Sequence, residues 1–155
     1  MFMNEENRKR YQLLRERSQK RIKQLYWQNN VLFQECIEAL KMYKVLTLED
    51  TEFIFRQMAT NFPMTDYGCI CWKKIDSKIE IKKKSDIFNI CSEQQEFYIL
   101  WDNLGLPGVQ CKLDTIIENI DDVLAVSFDT WLLSRDKKEV IEFYHEGSIV
   151  YGNIK

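Results

Sequence analysis

The chain is poor in backbone breakers and in histidine: 155 residues hold five glycines, two prolines and a single histidine. No repeat, linker or low-complexity segment interrupts it. The apolar runs are only a few residues long, far short of the roughly 20 needed to span a bilayer. The opening "MFMNEENRKRYQ" has no apolar core of a leader, so neither membrane insertion nor secretion by that route is expected. The five cysteines (Cys36, Cys69, Cys71, Cys91, Cys111) form no CxxC pair and no dense framework. They are expected to be reduced, buried thiols of a cytoplasmic protein. Also missing are a Walker A loop, GxGxxG and GxSxG, so no compact enzyme motif stands out.

What is present suits one globular domain over residues 1–155. A hydrophobic content of 45% is enough for a single core. The net charge of −2 conceals a gradient. Residues 1–25 carry 8 Lys and Arg against 3 Asp and Glu (+5), residues 26–95 carry 9 against 10 (−1), and residues 96–155 carry 5 against 11 (−6). A basic head and an acidic C-terminal third bear on partners and association rate more than on fold.

Between Asn4 and Tyr43 the residues are largely helix formers. Ile22, Leu25, Tyr26, Phe33, Cys36, Ile37 and Leu40 recur at helical spacing and predict a core-facing helix. The first part, "NRKRYQLLRERSQKR", offers only Tyr11, Leu13 and Leu14 for burial, so residues 1–20 read as a basic helical extension that can protrude. Thr47, followed by Glu49 and Asp50, predicts an N-cap for a helix over about 48–61 that buries Leu48, Phe55, Met58 and Phe62.

Beyond Pro63 the period shortens to two. "YGCICWKKI" and "KIEIKKK" predict a hairpin about Asp76-Ser77, and "EFYILWDN" a further strand. In "CKLDTIIENIDD" the apolar residues predict one short helix. "VLAVSFDTWLLS", "EVIEFYHE" and "SIVYG" predict three strands joined by "RDKK" and Gly147. The fold class is therefore α+β: N-terminal helices packed on a mostly antiparallel sheet of about six strands with one inserted short helix.

Three groups invite a chemical reading. His145 would need a carboxylate or nucleophile in reach to act as a catalyst. Strand alternation sends Glu142 and Glu146 to the face opposite His145, which favours a polar residue at a hairpin tip over a catalytic centre. Cys69 and Cys71 share a strand face as two metal ligands could, but a closed zinc site wants four ligands. Core packing is the expected role, with no metal and no cofactor. The basic stretch Arg8, Lys9, Arg10, Arg15, Arg17, Lys20, Arg21 and Lys23 could hold phosphates. Glu5, Glu6 and Glu16 interrupt it and helical spacing spreads it round the axis, so a solvated helix is the plainer reading.

The stretch "NIDDVLAVSFDTWLLSRDKKEVIEFYHEGSIVYG" (119–152), preceded by "WDNLGLPG" and "LDTIIENI", resembles the C-terminal region of small bacterial immunity proteins. These are encoded beside polymorphic or contact-dependent growth-inhibition toxins. The resemblance implies a non-enzymatic cytoplasmic protein whose partner is a cognate toxin, with neither nucleic acid nor membrane expected as a partner. A nuclease toxin must grip a polyanion, so its cleft is basic and an acidic, aromatic-studded inhibitor face would occlude it. Charge and alternation select Asp121, Asp122, Asp129, Glu142 and Glu146 as candidate toxin contacts, in a third that also carries Trp101, Trp131, Tyr144 and Tyr151; Trp131 is left out of the contacts as an alternative core residue. Two other readings stand beside this one: a nucleic-acid-binding regulator acting through the basic N-terminal helix, and a small hydrolase or nuclease using His145.

Overall fold

The computed structural model describes residues 4–154, apart from the side chains at positions 20 and 22–25. The N-terminal helical stretch is two helices, α1 (Glu5–Gln28) and α2 (Val31–Leu40). The break falls at Asn29-Asn30, where the Asn30 side chain accepts from the Phe33 backbone N–H at 2.9 Å and restarts the helix as its N-cap. Along α1, Tyr11, Leu13 and Leu14 are exposed, as a solvated extension requires. Tyr26 is exposed too, while Ile22 and Leu25 fall outside the described residues. In α2 the expected stripe Phe33, Cys36, Ile37 and Leu40 is buried. Thr47 caps α3 (Leu48–Asn61) by accepting from Asp50 N–H at 3.0 Å.

The sheet has seven strands, all antiparallel: β1 (Lys44–Val45), β2 (Ile79–Ile81), β3 (Glu96–Trp101), β4 (Val109–Lys112), β5 (Thr130–Ser134), β6 (Glu139–Phe143) and β7 (Ile149–Asn153). Their spatial order is β1-β4-β3-β5-β6-β7-β2. Two short helices, α4 (Leu113–Glu118) and α5 (Ile120–Leu124), stand where one was expected. The α+β class holds.

Both faces of the sheet are covered, and this decides where the side chains go. On one face Phe97, Ile99, Trp101, Leu132, Ile141, Phe143 and Tyr151 pack with Phe33, Ile37 and Leu40 of α2 and with Ile116, Ile120 and Val123 of α4 and α5. On the other, Leu100, Trp131, Leu133 and Val140 pack with Ile54 and Met58 of α3, with Phe62 and with Ile70. The helices therefore divide between two faces instead of covering one. That is why β5 is buried at every position, a pattern that strict alternation would not give.

Two strand expectations fail. Residues 67–75 are not a strand: Cys71 N–H bonds to Pro63 C=O at 2.7 Å, and Trp72–Lys74 close a 3-10 turn. Trp72 lies over Gly152 of β7, where an added Cβ would come within 2.6 Å of its ring, so this segment covers the sheet instead of joining it. Ile79–Ile81 pairs with β7. Likewise "VLAVSFDT" is not extended: Val123 turns inward from α5, and 125–129 is a loop leading into β5.

Candidate functional site

The site grows from a register. β5 and β6 place Trp131 opposite Glu142 on the α3 face, deep enough that Glu142 is only 4% exposed. A carboxylate so buried needs donors to replace its water. It has three: Glu142 Oε2 accepts from Ile70 N–H and from Trp131 Nε1–H, both at 2.8 Å, and Oε1 accepts from Trp72 Nε1–H at 2.9 Å. These bonds pin residues 70–72 to the sheet. They also hold the turn before them, where Thr65 N–H bonds to Cys69 C=O at 2.7 Å and Tyr67 points outward, 78% exposed.

One step along the same end of the sheet, Asp129 precedes β5 and His145 follows β6. Asp129 Oδ1 accepts from the His145 backbone N–H at 2.8 Å and lies 3.0 Å from His145 Nδ1. Asp102, just after β3, ties the same loop from the other side: Ser127 Oγ–H donates to its carboxylate, and Asp129 N–H does so at 3.3 Å. Gly147 (φ +98) supplies the left-handed residue that the β6–β7 turn needs. Local alternation provides no carboxylate partner for His145, yet the structure does, because the β5–β6 register brings Asp129, the last residue of the loop before β5, beside it.

The rings at this end form a group. His145 lies 4.1 Å from the Tyr144 ring and 6.4 Å from the Phe128 ring, centroid to centroid, and Phe128 is 81% exposed. Burial raises the Tyr144 hydroxyl above its ordinary ionisation range, with Glu146, Cys69, Asp129 and Tyr67 adding to the effect. Burial also pushes the Cys69 thiol up to about 11, assisted by the carboxylates of Glu142, Asp129 and Asp102.

The five candidate acids fall in different settings. Glu146 is exposed in the β6–β7 turn. Asp121 and Asp122 are exposed on α5, with Asp121 Oδ1 3.1 Å from Lys84 Nζ. Asp129 and Glu142 are buried, with Asp129 Oδ1 and both Glu142 oxygens engaged within the chain. The aromatic face expected around them is mostly interior: Trp101, Trp131 and Tyr151 are core residues, and only Tyr144 reaches the surface. The exposed aromatics here, Tyr67 and Phe128, were not picked out from the sequence. Their one signal is an aromatic set in a polar turn, in "TDYG" and "SFDT".

Among the described residues no group of three or more His, Cys, Asp or Glu side chains could hold a metal ion. The cysteines are free, with Cys36, Cys69, Cys91 and Cys111 buried and Cys71 partly so. No described helix is long and apolar enough to cross a membrane.

The sheet is thus covered on both faces, with acids and aromatics gathered on the loops at one end. The chain belongs to the family described as CdiI immunity protein EcoliA0-like, whose family model matches residues 30–152. The match begins at the cap of α2 and ends in β7, so the likeness noticed in 119–152 extends back through α2 and α3. No curated protein matches the chain. The family is one of contact-dependent inhibition immunity proteins. It points to a toxin-neutralising, non-enzymatic role and implies a cognate toxin as partner.

Proposed function

We propose that this protein neutralises a cognate nuclease toxin in the cytoplasm by binding it and occluding its active site with an acidic face. The family match supports a toxin as the partner. The observation that carries the mode of action is one of charge: the loops 63–69, 102–108, 125–129 and 144–148 hold Asp66, Asp102, Asp129 and Glu146 and no Lys or Arg. β-strand directions bring the last three loops to the same end of the sheet, since Trp101 pairs with Thr130 and Thr130 with Phe143. The turn at 65–69 joins them through the bond from Ile70 to Glu142. A cleft built to hold phosphates is basic, and such an end complements it. Glu146 and Asp122 are exposed and can meet a partner directly, Asp121 is exposed but paired with Lys84, and Asp129 and Glu142 act through the loops they hold.

The test uses the purified C-terminal domain of the toxin protein encoded beside this chain. Nuclease activity of that domain should fall to zero at equimolar chain, while the chain alone cleaves neither RNA nor DNA with divalent metal present. The contact between Asp129 and His145 gives the hydrolase reading its one support. Cleavage by the isolated chain that His145→Ala abolishes would establish that reading and remove ours.

A further inference from the structure

We infer that Tyr67 and Phe128 are the apolar anchors by which the chain grips its toxin, with Tyr144 beside them and the acids of the same four loops as the surrounding rim. This rests on the immunity reading above and specifies the surface and the chemistry of its partner: a folded domain offering apolar recesses inside a basic border.

Exposure is the first reason. Tyr67 is 78% and Phe128 81% exposed, each in a turn. Large aromatic rings held in water are characteristic of binding surfaces, where a few such residues carry most of the energy. Leu104, 90% exposed in the loop after β3, stands at the same end.

Rigidity is the second. The loop that carries Phe128 is held on both sides: Ser127 bonds to Asp102, and Asp129 bonds to Asp102 through its N–H and to His145 through its carboxylate. Tyr67 lies in a turn closed by Gly68 N–H on Thr65 C=O at 3.2 Å, by Cys69 N–H on Thr65 Oγ1 at 3.1 Å, and by the buried Glu142 just beyond. Anchors held in position before contact lose little conformational freedom on binding, which raises affinity for a given area.

Charge is the third. Four acids with no Lys or Arg in these loops select a cationic partner and disfavour an acidic one. The opposite end differs, for its β5–β6 turn carries Arg135, Lys137 and Lys138 around Asp136, and there the exposed Phe53 ring lies 5.6 Å beneath the Lys137 ammonium.

The experiment measures the affinity of the full chain for the neighbouring toxin domain by calorimetry, for wild type, Tyr67→Ala, Phe128→Ala and, as a control at the far end, Phe53→Ala. Because the three rings are exposed, all variants should melt like wild type. Tyr67→Ala and Phe128→Ala should each weaken binding at least about tenfold, the range of an interface anchor, with Phe53→Ala unchanged. Wild-type affinity in both pole variants, or an equal loss in Phe53→Ala, overturns the inference while leaving the immunity reading intact. A wild-type chain that does not bind the toxin domain overturns both.

Discussion

Trp131 and Glu142 face each other across β5 and β6, and the indole N–H donates to the buried carboxylate at 2.8 Å. The same carboxylate receives Trp72 and the Ile70 backbone, so one acid joins two strands to the segment that covers them. Removing it leaves three donors, two of them buried and one partly so, without an acceptor. Glu142→Ala is expected to cost about 3 kcal/mol or more, since each orphaned donor is worth about 1–3 kcal/mol. Glu142→Gln, which keeps one acceptor oxygen, should cost less. Urea melts check the ordering, and an Ala variant as stable as wild type would mean that water replaces the carboxylate.

Asp129 and His145 should separate under mutation. The Asp129 carboxylate is largely buried and holds the His145 backbone N–H, whereas the His145 side chain is 42% exposed. His145→Ala is expected to lose less than about 1 kcal/mol of stability and of toxin affinity, because the ring is on the solvent side of the pair and Asp129 keeps the backbone N–H as its partner. Asp129→Ala should lose about 1–3 kcal/mol through the orphaned N–H. Paired melts and calorimetry decide it, and a His145→Ala variant that is stable but binds far more weakly would make the ring itself a contact.

The thiols give a pH dependence of known sign. Burial pushes Cys36 and Cys91 from 9.0 up to about 12 in the fold. Between those values the native chain keeps protons that the unfolded chain has lost, so stability falls as pH rises above about 9. The Tyr151 hydroxyl, raised by burial and by its bond to Glu139, acts in the same direction. Melting temperature should hold steady up to about pH 8.5 and fall beyond it. A flat profile to pH 11 would contradict the burial of these groups.

Cys71 is the least buried of the cysteines and lies outside both core clusters. Thiol reagents require the thiolate and access to it, so Cys71 should be alkylated first under native conditions, as peptide mass mapping would show. First labelling at Cys36 or Cys91 would mean that the core opens readily.

We propose further that residues 1–155 melt as one unit to which the first part of α1 adds little. Tyr11, Leu13 and Leu14 are more than half exposed, so deleting residues 1–17 removes little buried surface. The truncated chain should keep its cooperative transition. Loss of that transition would give the basic helix a role in folding or self-association.

Much of this was legible wherever a local signal sufficed: the Thr47 cap, the α2 stripe, β3, and the Gly147 turn between β6 and β7. What escaped depends on partners distant in sequence. Glu142 reads as a surface acid until Trp131, Trp72 and Ile70 converge on it. Period-two patterning in 67–75 suggests a strand, yet Ile70, Trp72 and Ile75 pack on the sheet's second face from a turn outside it while Tyr67 points to solvent. The Asp129–His145 contact spans 16 residues and exists only in the β5–β6 register. Tyr67 and Phe128 were expected in strands, and only the way the loops pack puts them in exposed turns.

The central claim, that an acidic end of the sheet meets a basic toxin surface, is tested most directly by the salt dependence of the association rate with the neighbouring toxin domain. The rate for wild type should fall at least about tenfold between about 50 and 500 mM salt, because screening shortens the reach of the steering field. Glu146→Lys and Asp66→Lys should lower the low-salt rate and flatten the slope. A wild-type rate indifferent to salt, with both charge reversals associating as wild type does, would contradict it.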